Sequence, residues 1–404
     1  MAVNPTHNVV EELRGASRLA IDATKAVTDV VEAMHRTIAG GPKVLGEPLK
    51  TPAGLLTRPV YRGIRGVTKV VGATIDLALG QLAPLLGERS SGSEREALRA
   101  ALNGVLGDYL RETANPLAIP MRLRHGGQAL TLEPNGLRAA FPSATGRLAV
   151  LIHGSSMNDL QWSRKGHDHG AALSRDLGVT PIYLHYNSGL HISTNGRELA
   201  ALLDQLASAW PVPVQEVLLI GHSMGGLVAR SACRTAELDG LRWREVLRAL
   251  VCLGTPHHGA PLERSGNWLE SLLGVSRYSA PLARLGRLRS AGVTDLRFGN
   301  VLDEDWQGRD RFTLDSDRRT PLPLPSGVQC YAIAATTSKT SQAKKLSGDG
   351  LVPVDSALGR HRSPALNLDF PSDHQLIAAD TSHVGLLSQP EVYATMQGWL
   401  ASLG

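Results

Sequence analysis

From Arg147 onward, short apolar runs alternate with segments whose apolar positions recur at helical spacing. The runs near 148–152, 180–185, 216–220, 247–253, 328–335 and 374–379 predict strands, and those near 167–177, 196–209, 224–238 and 390–402 predict helices. Strands and helices in alternation imply right-handed crossovers, hence an α/β fold with a mostly parallel central sheet flanked by helices. Asn195 with Glu198, and Ser388 with Glu391, have capping-box spacing at two of the helix starts. Residues 260–327 break the alternation with ten arginines, nine acidic residues and few strand signals. An insertion of that length between two strands is expected to form a cap or lid over a site.

The upstream chain reads differently. Val9, Leu13, Ala16, Ala20, Val27, Val31, Met34 and Ile38 predict one or two amphipathic helices. Residues 55–86 are apolar, but Lys69, Asp76 and Pro84 interrupt the best window, which argues against a membrane-spanning helix. Residues 87–93 read as a linker, and Ser93 with Glu96 caps a helix running to about Arg111. Runs at 119–124 and 129–133 around Gly126-Gly127 predict a β-hairpin. The chain therefore divides into an N-terminal helical region, 1–115, and an α/β domain, 116–404, that carries the insertion.

Composition narrows the classes. At 404 residues, 42% hydrophobic, 20% charged and with a net charge of +5, the chain has an ordinary globular balance. It shows no zinc-finger spacing and no clustered basic recognition helix, so nucleic acid is not an expected partner. Between Arg36 and Lys69 seven basic residues face one acidic residue, Glu47. Next to amphipathic helices, such a stretch suits peripheral contact with an anionic membrane. The competing expectation is a helical hairpin packed on the α/β domain. Cys233, Cys252 and Cys330 fall in apolar elements and read as reduced, buried thiols. With no apolar leader in the first twenty residues, the expected location is cytoplasmic, with the inner face of a membrane as its peripheral variant.

The chemistry centres on residues 216–226, E-V-L-L-I-G-H-S-M-G-G, an apolar run ending in small residues before a helix. A serine held between glycines at a strand-to-helix junction is what a nucleophile elbow needs. Gly221 and Gly225 leave room for the turn, His222 precedes the nucleophile Ser223, and the Met224 N–H starts the helix as an oxyanion donor. A serine hydroxyl also needs an imidazole to take its proton and a carboxylate to hold that imidazole. In parallel sheets these partners come from loops at the carboxyl ends of strands. His374 starts its strand and lies at the wrong end, whereas His383, in D-T-S-H-V-G-L-L, follows it and is the expected base. Asp349, in S-G-D-G-L-V-P, is the expected acid, with Asp355, Asp373 and Asp380 as alternatives. Val150 to Ser155 ends a strand in His153-Gly154, so that the Ser155 N–H becomes the second oxyanion donor and His153 a structural residue. Leu253 to Pro261 follow another strand and should line the pocket, His257 and His258 among them. Neither that pair nor His167 and His169 around Asp168 has metal-ligand spacing, so no metal is expected.

The segment from about 147 to 403 resembles the α/β-hydrolase superfamily. V-L-I-H-G, G-H-S-M-G-G, L-G-T-P-H-H-G-A-P, G-D-G-L-V-P and S-H-V-G-L-L, in this order, look like its bacterial lipase and GPI inositol-deacylase-like branch. The resemblance implies a cofactor-free serine hydrolase acting on carboxylic esters, lipid-like or acyl-bearing. It assigns Ser223 as nucleophile, Asp349 as acid, His383 as base, and Ser155 and Met224 as oxyanion donors. Acyl transfer to another acceptor would use the same residues, and a non-catalytic lipid-surface scaffold would keep the fold without the chemistry.

Overall fold

The computed structural model describes residues 93–112, 114–115, 117–260, 289–311, 316–341 and 347–403. The amphipathic stretch 8–38, the basic stretch 36–69, the broken apolar stretch 55–86 and much of the insertion lie outside the described residues. Among the described residues no helix is long and apolar enough to cross a membrane.

In chain order the principal elements are helix α1 (Ser93–Glu112), strands β1 (Arg122–His125), β2 (Gln128–Ala129) and β3 (Arg147–Ile152), and helix α2 (His169–Leu177). They continue with β4 (Thr180–His185), α3 (Ile192–Ala209), β5 (Glu216–His222), α4 (Met224–Asp239) and β6 (Leu247–Leu253). Strands β7 (Gln329–Ala335) and β8 (Gln375–Ala378) precede helix α5 (Pro390–Ala401). One eight-stranded sheet runs in the order β2-β1-β4-β3-β5-β6-β7-β8. From β4 to β8 every pairing is parallel. The expected hairpin forms, shorter than its apolar runs suggested, and β1 extends the sheet by pairing antiparallel with β4.

Alternate residues of the parallel strands enter two different cores, because successive side chains in a strand point to opposite faces. Leu148, Val150, Ile152, Val217, Leu219, Leu250 and Cys252 pack with α1, α3 and α4. Ala149, Leu151, Leu218, Ile220, Val251 and Leu253 pack with α2 and α5. The boundary expected at residue 115 falls inside the first of these cores. Ala101, Leu102, Val105, Leu106 and Leu110 of α1 are buried there with strand residues, so this helix belongs to the body of the α/β domain.

Two helix starts differ from their capping-box readings. Helix α3 begins at Ile192, whose N–H donates to Asp295 Oδ2 at 2.9 Å, so a carboxylate from the insertion satisfies the helix end. Asn195 lies one turn inside, its amide donating to the Asn187 carbonyl. Helix α5 begins at Pro390, where the missing N–H costs nothing, and Ser388 ends the preceding 3-10 turn.

The described part of the insertion packs on α1 and on the loop after β4. Ser290 Oγ donates to Gly104 O at 2.6 Å, and Asp295 pairs with His191 at 3.0 Å. Residues 261–288 and 312–315 of the expected cap, 260–327, lie outside the described residues.

Candidate active site

The sheet order creates the crevice. Strand β3 lies between β4 and β5, so the chain leaves it on one side and later returns on the other, and loops from the carboxyl ends of β3 and β5 diverge there. Gly154 and Ser155 follow β3, and Ser223 follows β5.

Ser223 carries the backbone strain of the turn itself, with φ 55 and ψ −125, while its N–H donates to the Leu253 carbonyl at 2.8 Å. A non-glycine residue at positive φ is costly and persists only where packing fixes it. Gly221 and Gly225 serve close approach instead. A Cβ on Gly225 would lie 2.1 Å from the Ile152 carbonyl oxygen, and one on Gly221 would lie 2.4 Å from the Gly226 nitrogen. Gly154 meets Ser223 directly, since a Cβ there would sit 2.9 Å from Ser223 Cβ. Met224 is the first residue of α4 and is fully buried.

His383 and Asp349 come together from the loops after β8 and β7. Asp349 Oδ2 lies 2.7 Å from His383 Nδ1, and the His383 N–H donates to the Asp349 carbonyl at 3.0 Å. A carboxylate only accepts, so Nδ1 carries the proton and Nε2 presents its lone pair. The other carboxylate oxygen accepts from Leu351 N at 2.9 Å and Val352 N at 2.8 Å. Burial works to raise the Asp349 pKa, but His383 and these two N–H groups outweigh it and hold the carboxyl below its ordinary value. Ser223 Oγ and His383 Nε2 are both buried with no hydrogen-bond partner among the described residues. Buried polar atoms are normally satisfied, so this hydroxyl and this imidazole both keep open hydrogen-bonding capacity.

Gly254, inside the L-G-T-P stretch, was not singled out by sequence reasoning. Its φ is 58, and a Cβ there would lie 3.2 Å from His383 Cε1 and Nδ1. Glycine at the end of β6 leaves space for the imidazole. His222 fixes the same ring from below, its Nε2–H donating to the His383 carbonyl at 3.1 Å. Burial, with repulsion from His383 next, lowers the His222 pKa to about 3, so it stays neutral.

Ser155 is buried and its hydroxyl has no partner among the described residues. The next residue, Ser156, has φ 59 and donates its N–H to Ser188 Oγ at 2.9 Å. Ser188 was also missed; its position just beyond the carboxyl end of β4 was the available signal. His153 stacks on Tyr186 with ring centroids 4.3 Å apart, and its Nδ1 lies 2.8 Å from the Gly154 carbonyl. Burial lowers its pKa to about 3, which suits a structural histidine.

His257 and His258, expected to line the pocket, stand with two arginines. Arg230 Nη1 lies 3.4 Å from His257 Nδ1, and Arg319 Nη2 lies 3.3 Å from His258 Nδ1. His167 and His169 bond to each other at 2.8 Å, and Asp168 accepts from the Ala171 N–H at the start of α2. Among the described residues no group of side chains is arranged to hold a metal ion.

A sheet of this order, with a serine at a strained strand-to-helix turn, has the α/β-hydrolase fold. Within it, residues 144–320 match the PGAP1-like alpha/beta domain family. No curated protein matches the chain in sequence. Among solved structures it is similar to a mature lipase of Bacillus licheniformis, with 16% identity over 64% of this chain and 91% of that one and a TM-score of 0.40. It is also similar to EstA from Clostridium botulinum, with 13% identity over 64% and 88% of the two chains and a TM-score of 0.38. For the Staphylococcus hyicus lipase the values are 12%, 64%, 96% and 0.36.

Proposed function

We propose that the protein is a serine hydrolase that cleaves carboxylic esters, with lipid-like esters as its substrate class. The reading rests on one observation above all: a 2.7 Å Asp349–His383 pair whose free Nε2, like Ser223 Oγ, is buried without a partner among the described residues. Ser223 attacks the ester carbonyl as His383 Nε2 takes its proton. The N–H groups of Ser155 and Met224 hold the tetrahedral oxyanion, and His383 returns the proton to the departing alcohol. Water, activated by the same imidazole, then releases the acid from the acyl-enzyme. Asp349 keeps the imidazole in the Nδ1–H tautomer and stabilises the imidazolium as it forms.

Hydrolysis of short p-nitrophenyl esters tests this reading. Ser223→Ala should lower kcat by about a millionfold. Undiminished turnover in that variant, or failure of a fluorophosphonate to label Ser223 in the parent chain, would sink it. Product analysis with added alcohols separates hydrolysis from acyl transfer.

The N-terminal residues supply the second part of the proposal. Their seven basic residues between Arg36 and Lys69, against one acidic, suit reversible attachment to an anionic membrane face. Liposome flotation of the full chain should exceed that of a chain beginning at Ser93, and the difference should shrink at high salt. Equal flotation would leave the segment as packing for the hydrolase body.

A further inference from the structure

The His257-His258 pair invites a metal, but its surroundings have the opposite polarity. Arg230, Arg319, His257 and His258 converge on a cavity of about 20 Å³, walled on its apolar side by Leu322 and Leu368. That volume admits one water-sized occupant.

Arg230 lies on α4, two turns beyond the nucleophile, and is almost fully buried. Its Nη2 donates to the Leu322 carbonyl at 2.5 Å, and its Nε–H is buried without a partner among the described residues. Burial lowers its pKa to about 10, with Arg319 adding repulsion against the opposing pull of Cys252, so the guanidinium remains charged near neutrality. Arg319 has a carboxylate, Asp317 at 2.8 Å. Arg230 has none in ion-pair contact among the described residues.

The arginines also fix the histidine tautomers. A guanidinium has no acceptor, so His257 Nδ1 must accept from Arg230, which puts the ring proton on Nε2. That Nε2–H is likewise buried with no partner among the described residues. Burial, then repulsion from Arg230, holds the His257 pKa well below its ordinary value, so the ring is neutral. The site therefore offers one uncompensated positive charge and unmatched N–H donors, among them Arg230 Nε and His257 Nε2. A metal cation would meet protonated nitrogens and a like charge; an anion would meet donors.

We propose that the cavity between Arg230 and His257 binds one small monovalent anion of halide size. The ion neutralises Arg230 and accepts from both orphan donors, while Leu322 and Leu368 disfavour a strongly hydrated occupant. Because Arg230 belongs to the nucleophile's helix, His257 to the loop after β6 and Arg319 to the insertion, the bound ion ties these three segments together. Removing it leaves a buried charge unpaired, which is the costly state of an ion pair.

The inference does not depend on the ester chemistry, and its test needs no substrate. Melting temperature is followed while sodium gluconate is replaced by sodium chloride, and then by sodium bromide, at constant ionic strength. A rise of a few degrees in either halide, growing with the logarithm of halide concentration, is expected, because a ligand that binds only the folded state stabilises it by RT ln(1 + [L]/Kd). Arg230→Met, which removes the charge and keeps much of the volume, should melt identically in gluconate and chloride. Crystals grown in bromide should show an anomalous peak between Arg230 and His257. Equal melting of the parent chain in gluconate and halide, or a bromide-free cavity holding only water, would overturn the proposal. Should Arg230→Met fail to fold, the halide titration and the bromide crystal decide the matter alone.

Discussion

Gly104 of helix α1 lies against Ser156 so closely that a methyl group at position 104 would sit 2.0 Å from Ser156 Oγ and 2.8 Å from its Cα. Ser156 follows the proposed oxyanion donor and is already held at φ 59. A side chain on α1 must therefore move the loop that carries the Ser155 N–H. Gly104→Ala is expected to cost about 1–3 kcal/mol of stability by overpacking and to lower kcat for p-nitrophenyl esters more than it changes KM. Denaturant melts and steady-state kinetics measure the two effects; parent-like values in both would show that the helix can slide away freely.

The strain at Ser223 has a thermodynamic counterpart. Relief of a positive-φ residue is worth about 1–3 kcal/mol, partly offset by the greater freedom of glycine in the unfolded chain. Ser223→Gly should be inactive and yet more stable than Ser223→Ala by about 1 kcal/mol. The alanine variant keeps the same backbone conformation, so the comparison isolates the torsion. An alanine variant that resisted urea better than the glycine variant would contradict the assignment of strain to this residue.

Buried histidines set the acid limit of the fold. Burial lowers the pKa of His153 and His222 to about 3 and that of His169 to about 4. Their folded-state values lie below the unfolded value of 6.5, so the unfolded chain binds more protons in the interval between. The stability they represent is complete above about pH 6.5 and falls as the pH drops, at about 1.4 kcal/mol per unit for each ring. Asp349, depressed below the ordinary carboxylate value, adds a loss only at still lower pH. Urea midpoints should decline markedly from pH 7.5 to pH 5; a flat profile would mean that these rings are hydrated or charged in the folded state.

Asp349→Asn probes tautomer control. The amide retains an oxygen for Leu351 N and Val352 N, which now bond to Asp349 Oδ1, so the loop should stay folded. Its nitrogen, however, would face His383 Nδ1 as a donor and favour the wrong tautomer. A fall of about ten-thousandfold in kcat is expected, with little change in far-ultraviolet circular dichroism. Retained turnover would point to Asp355, Asp373 or Asp380 as the acid.

The parallel sheet and the serine turn were legible because both are written locally. The apolar runs of β3 to β7 are short and bounded, and G-H-S-M-G-G follows directly on one of them. His383 and Asp349 could be picked from many candidates by a topological rule, since functional loops sit at the carboxyl ends of parallel strands. What escaped notice depends on contacts between distant parts of the chain. Ile192 begins α3 because Asp295, 103 residues away, accepts its N–H, and no pattern around Asn195 announces that partner. The packing of α1 into the sheet was hidden for the same reason, because Gly104 looks like an interruption until Ser156 is set against it. The histidine pair at 257 and 258 was read without its neighbours, and two arginines reverse its chemistry.

The three cysteines also fix how the molecule responds to thiol reagents. Cys233, Cys252 and Cys330 are free and buried, and burial pushes the first two thiols up to about 12 and the third higher still. Alkylating reagents require a thiolate, so the folded parent chain should be almost silent toward maleimides. A single cysteine placed at Leu238, 67% exposed on helix α4, would then be the one reactive handle. The chain can thus carry a fluorophore or spin label at one chosen position without deleting any native thiol, and the onset of background labelling during heating would itself time the opening of the core.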